Sequence, residues 1–129
     1  MNKILVEVSA GELLDKISIL EIKNEKIKDP EKLKFISNEH SILKEQLENN
    51  VKTDEKLDKL FKDLKEINAK LWVIEDDKRQ CEKDKNFGEK FIKLSRDVHF
   101  LNDDRAKIKL EINNHTGSII KEIKEYTNY

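Results

Sequence analysis

Along most of the chain apolar residues return every three or four positions, the period of an amphipathic helix rather than the period of two that marks a half-buried strand. Leu13, Ile17, Leu20 and Ile27 form a first stripe, widened by Leu14, Ile19 and Ile22. Leu33, Ile36, His40, Leu43 and Leu47 form a second, in alternating steps of three and four that read as a coiled-coil seam. A third seam runs through Leu57, Leu60, Leu64, Ile67, Leu71 and Ile74, then turns polar at Lys78 and Cys81. The fourth runs through Phe87, Phe91, Leu94, Val98 and Leu101, meets Arg105, and resumes at Ile108 and Ile112.

Punctuation between the stripes fits four helices. Ser9-Ala10-Gly11-Glu12 reads as a capping box, in which Ser9 accepts from the Glu12 amide and Glu12 reaches back to the amide of Ser9. The first helix is expected from about Ala10 to Lys28. Asp29-Pro30-Glu31 restarts a helix, with Asp29 as N-cap and Pro30 at the first helical position, which should run to about Glu48 and end at Asn49-Asn50. Thr53 or Asp54 caps a third helix of about 45 Å. A break at Asn86-Phe87-Gly88 leads into the fourth, closed at Thr116-Gly117-Ser118 by a left-handed glycine. Ile4–Val8 is the one β-like run, with no second strong strand to pair with, so an extended arm or a strand added to a partner is expected. The tail, Ile119–Tyr129, carries no period that decides between helix and extended chain.

The expected fold class is therefore all-α: long antiparallel helical hairpins, a coiled-coil-like bundle, with a short extended N-terminal arm. Residues 1–8 would be the arm, 9–48 a first hairpin, 54–114 a second and longer one, and 118–129 the tail of a single domain. A helix as long as the third outruns shorter partners, and this points to a homodimer with long helices paired across a two-fold axis.

Composition sharpens this picture. The 129 residues are 41% charged and 36% hydrophobic, enough apolar side chain for seams between helices but not for a deep core. The net charge of −1, with acidic and basic residues interleaved, provides no basic face for nucleic acid and no attraction to an anionic membrane. A single cysteine, Cys81, excludes an intrachain disulfide. No apolar stretch is long enough to cross a membrane, and the expectation is a soluble cytoplasmic protein.

Candidate chemistry gathers in Leu71–Asn113, which holds the only tryptophan, the only cysteine and all three arginines. Of 26 basic residues only Arg79, Arg96 and Arg105 are arginine, so lysine serves wherever a generic positive charge suffices. The arginines mark places that want a planar, bidentate donor: a buried carboxylate pair that fixes helix register, or an anionic ligand. Glu75, Arg79 and Glu82 share one helical face, as do Asn102, Arg105, Lys109 and Asn113. Glu12, Asp15 and Glu21 of the first helix are the carboxylates that would complete a site. Trp72 reads as core before it reads as a ligand platform. Metal-binding histidine or cysteine spacings and Gly-rich phosphate loops are absent, and no cofactor is expected. Acidic pairs such as Glu12/Asp15 or Glu122/Glu125 match the spacing used by all-helical nucleotide pyrophosphatases, but with 27 acidic residues such matches arise by chance. The first helix carries none of the arginines a small helical chorismate mutase requires.

The stretches VSAGELLDKISILEIKNEKI, LWVIED with Arg79 and Glu82, FIKLSRDVHFLNDDRAKIKLEIN and the closing GS…KEY together resemble a family of short, uncharacterised bacterial and phage proteins known only as a domain of unknown function. The resemblance covers nearly the whole chain except the linker around Asn49–Asp54. It implies no activity. It directs the search for function to Glu12, Asp15, Lys16, Glu21, Lys23, Trp72, Glu75, Arg79, Arg96, Asn102, Arg105, Lys109 and Asn113. Two function classes stay open: a non-catalytic interaction or assembly module, or a protein, even an enzyme, that binds a small carboxylate or phosphate through the arginines and carboxylates of the bundle.

Overall fold

The computed structural model describes residues 2–129. It is all-helical, with α1 (Ala10–Lys26), α2 (Pro30–Asn50), α3 (Glu55–Asp84) and α4 (Glu89–Thr116), and no strand among the described residues. No helix among them is long and apolar enough to cross a membrane.

Each helix start has a local cause. Ser9 Oγ accepts from the Glu12 amide at 3.1 Å, satisfying one of the free donors at the N-terminus of α1. The expected return half of the capping box is not used: the Glu12 carboxylate turns instead to the Lys109 ammonium at 2.8 Å, where both partners carry a full charge. Asp29 accepts from the Glu31 amide at 3.0 Å, with Pro30 opening α2. Of the two expected caps for α3 it is Asp54 that serves, accepting from the Leu57 amide at 2.8 Å. The backbone turns between α3 and α4 at Lys85, which takes the left-handed conformation (φ 53°). At the end of α4 Gly117 takes it (φ 69°), and the Ser118 amide returns to the Asn113 carbonyl at 2.9 Å.

α1 is the hub: it packs against α2, α3 and α4, and α3 packs against α4. The core joins Leu13, Leu14 and Ile17 of α1 to Leu47 of α2, Leu57, Leu60 and Leu64 of α3, and Ile112 of α4. Ile17, Leu64 and Ile112 are fully enclosed, and each such side chain contributes about 1.5–3 kcal/mol by burial. α1 and α4 approach closely at Gly11. A Cβ there would lie 2.5 Å from the Lys109 carbonyl oxygen and 2.9 Å from Asn113 Oδ1, and the bare backbone lets the Gly11 amide donate to Asn113 Oδ1 at 2.7 Å.

The helices differ in reach. With 17 residues α1 is about 25 Å long, whereas α3 with 30 is about 45 Å. Past Leu71 the one buried residue of α3 is Cys81. Near it Lys78 Nζ lies over the Phe91 ring, 5.8 Å from its centroid. Residues 2–9 form neither helix nor strand, and Ile4, Leu5 and Val6 are exposed. The tail after Gly117 also lacks regular structure. It is tied to the helices along its length: Ala10 N donates to Ser118 Oγ at 3.3 Å, Lys121 Nζ to Asn114 Oδ1 at 2.8 Å, Lys109 Nζ to Glu122 Oε2 at 3.1 Å and the Tyr129 hydroxyl to Asp103, while the Tyr129 ring stands edge-on to Phe100 at 5.6 Å.

Candidate functional site

Asp15 lies at the centre of a polar layer inside the contact of α1, α3 and α4. Asp15 and Ser18, three positions apart on α1, share one face beside the buried Leu14 and Ile22. The Asp15 side chain is 3% exposed. Its Oδ1 accepts from Asn68 Nδ2 of α3 at 2.8 Å and from Arg105 Nε of α4 at 3.0 Å; its Oδ2 accepts from Arg105 Nη2 at 2.5 Å. Asn68 Nδ2 also donates to Ser18 Oγ at 2.8 Å, and the Ser18 hydroxyl donates to the Asp15 carbonyl at 2.8 Å. One carboxylate therefore ties three helices into one register, with Arg105 as the two-pronged donor.

One turn further along α4, Lys109 extends the network. Its Nζ donates to Glu12 Oε2 at 2.8 Å and to Glu122 Oε2 at 3.1 Å, with Asp15 Oδ2 at 3.9 Å. Burial pushes the Asp15 carboxyl upward, but hydrogen bonds from Arg105 and Asn68 and the charges of Arg105 and Lys109 hold it below its ordinary value of 3.8. Burial lowers Lys109, yet its bonds to Glu12 and Glu122 leave it above the usual lysine range. The bond from Lys109 is the main reason Glu122 sits below the ordinary carboxylate value. Asp15, Lys109 and Glu122 are thus each held in the charged form.

Glu12, Asp15, Asn102, Arg105, Ala106 and Lys109, together with Glu122 and Lys124 of the tail, line an open cleft of about 210 Å³. Glu12, Asp15, Asn102, Arg105 and Lys109 of the sequence-derived candidates thus meet here, and Asn113 lies one turn below, on the Gly11 amide. The remaining candidates do not join them. Glu21 pairs with Lys65 of α3 and lies beside His40 of α2, each at 3.3 Å. Trp72 is half-buried, and Glu75, Arg79 and Arg96 are exposed. Neither Arg79 nor Arg96 forms an ion pair among the described residues.

Ser18, Asn68 and Lys124 were not singled out by sequence reasoning, and Glu122 figured there only in the chance-level pair Glu122/Glu125. Asn68 had a readable signal, since it falls four residues after Leu64 and three before Leu71, a polar residue in an apolar stripe. Glu122 and Lys124 had none, because their segment carries no period.

A second surface lies past the C-terminal end of α1. Lys26, Glu66, Ala69, Lys70, Val73, Ile74, Asp97, Phe100 and Leu101 line a shallow, mainly apolar groove of about 670 Å³ between α3 and α4. Val73 and Phe100, which both line it, are 48% and 45% exposed.

The arrangement can hold helices in register and can present charged donors to an anion. Among the described residues no group of histidine, cysteine and carboxylate side chains is placed to hold a metal ion, and every buried side-chain nitrogen and oxygen has a hydrogen-bond partner. The buried layer is therefore complete without a ligand.

Among known proteins, the profile described as "Family of unknown function (DUF6165)" matches residues 4–129. No curated protein and no solved structure matches the chain.

Proposed function

The chain belongs to the DUF6165 family of unknown function, and from that premise we propose that it is a non-catalytic helical module that assembles with a second copy of itself through the groove between α3 and α4. In this reading α1–α2 and α3–α4 are antiparallel hairpins of one coiled-coil-like unit, residues 2–8 are an extended arm, and the protein works in the cytoplasm.

The observation that carries the proposal is the groove. It begins at Lys26, where α1 ends, and continues along α3 and α4. Up to that point α1 covers the seam between the two long helices; past it Val73, Ile74, Phe100 and Leu101 have no helix above them. Two copies related by a two-fold axis would lay these stretches against each other and complete a four-helix arrangement. The rim suits a self-facing partner, since Lys26 and Lys70 are balanced by Glu66 and Asp97. The internally satisfied polar layer supports a structural role for Asp15 and Arg105.

The test is light scattering on a size-exclusion column, comparing the wild-type chain with a Val73→Asp/Phe100→Asp variant. The wild type is expected to elute with the mass of two chains and the variant with the mass of one, its helical content unchanged. A variant that stays dimeric would place the interface elsewhere.

A further inference from the structure

The C-terminal tail has no helix or strand of its own, yet at Glu122 it enters the cleft and places a carboxylate against Lys109. The two sides of this contact are unequal. The Lys109 side chain is 11% exposed and already bonded to Glu12, whereas that of Glu122 is 48% exposed. Lys109 is part of the helical framework; Glu122 is held by its pairs with Lys109 and, at 3.4 Å, its neighbour Lys124. A pair with one partner half exposed on an unstructured segment is open to salt and to competing anions.

The rest of the wall is prepared for an anion. Arg105 gives Nε and Nη2 to Asp15, which fixes the plane of the guanidinium. Its Nη1 has one long contact, to Asn102 Oδ1 at 3.5 Å, and so retains donor capacity on the cleft side. With Glu122 withdrawn, Arg105, Lys109 and Lys124 would face Glu12 and Asp15: three cations against two carboxylates, an excess of one positive charge. A single negative charge restores neutrality, whereas a phosphate dianion overshoots it. The 210 Å³ of the cleft limits the occupant to a small molecule.

We propose that the cleft between Arg105, Lys109 and Lys124 is a binding site for a small monocarboxylic acid, and that Glu122 of the tail is its built-in competitor. The ligand carboxylate takes the place of the Glu122 carboxylate on Lys109 and adds the free Nη1 edge of Arg105. Binding turns the Glu122 side chain out of the cleft, while Lys124 keeps its place on the wall.

The proposal is tested by NMR titration of the full chain with sodium acetate, against sodium chloride at matched ionic strength, in the wild type, Glu122→Gln and Lys124→Ala. Acetate is expected to move the Arg105 Nε–H and Lys109 resonances, and the Glu122 side-chain resonances of the wild type, beyond the chloride control. Removing the competitor should tighten acetate binding about fivefold in Glu122→Gln, since apparent affinity scales with the fraction of open sites. Lys124→Ala should weaken it. Acetate shifts no larger than those of chloride in both the wild type and Glu122→Gln would overturn the site. Equal affinity in those two proteins would overturn the role of Glu122. Tighter binding of inorganic phosphate than of acetate would overturn the ligand class.

Discussion

Asp15 is where the chemistry of single residues decides most. Its carboxylate is shared by Asn68 and Arg105 and sensed by Lys109, so three helices lose a common anchor if its charge is removed. Asp15→Asn should lower stability by about 2–3 kcal/mol in urea unfolding, less than the ~3–5 kcal/mol of a fully enclosed pair because the Arg105 side chain stays 28% exposed. The pH dependence has a definite sign. The folded pKa of Asp15 lies below 3.8, so its contribution is present above that value and is lost as pH falls through the lower folded pKa. Acid unfolding followed by circular dichroism should therefore show the wild type losing stability as pH falls below about 4, and Asp15→Asn should flatten the curve there. Gly11 tests the opposite kind of constraint. Gly11→Ala puts a methyl carbon against backbone rather than a movable side chain, and should cost about 1–3 kcal/mol in the same assay despite the better helix propensity of alanine.

At the scale of the element, the turn at Lys85 shows how local chemistry and helix geometry meet. A non-glycine residue in the left-handed region costs about 1 kcal/mol, so Lys85→Gly should leave the structure intact and raise the thermal midpoint by a few degrees. Period and punctuation made all four helices legible, since burying one face requires spacings of three and four and ending a helix requires a partner for its free amides and carbonyls. The boundaries shifted by about two residues where two plausible stops compete: α1 ends at Lys26 rather than Lys28, and α2 runs to Asn50 rather than Glu48. Asp15, Arg105, Lys109 and Asn113 were legible as members of polar faces. That they share one layer was not, because it depends on how α1 crosses α4 at Gly11, which no spacing within either helix specifies. Arg79 and Arg96 looked like Arg105 by residue type alone; position along the hairpin separates them, since α1 reaches Arg105 and stops short of the exposed stretch that carries the others. The tail was illegible for the plainest reason. Glu122 finds Lys109 through charge, without a periodic pattern to announce it.

For the whole molecule the governing fact is a mismatch of lengths. A short α1 anchors one end of two long helices with a compact core and a satisfied polar layer, and leaves an apolar groove along the other. The expectation of a homodimer rests on the length of the third seam; in the proposed assembly the groove past Lys26 would be the surface that two copies share. Sedimentation equilibrium of the wild-type chain over a hundredfold range of concentration tests this most directly. A single species with the mass of two chains, dissociating to one at the dilute end, is the predicted result. A monomer throughout, up to the highest concentration, would contradict it.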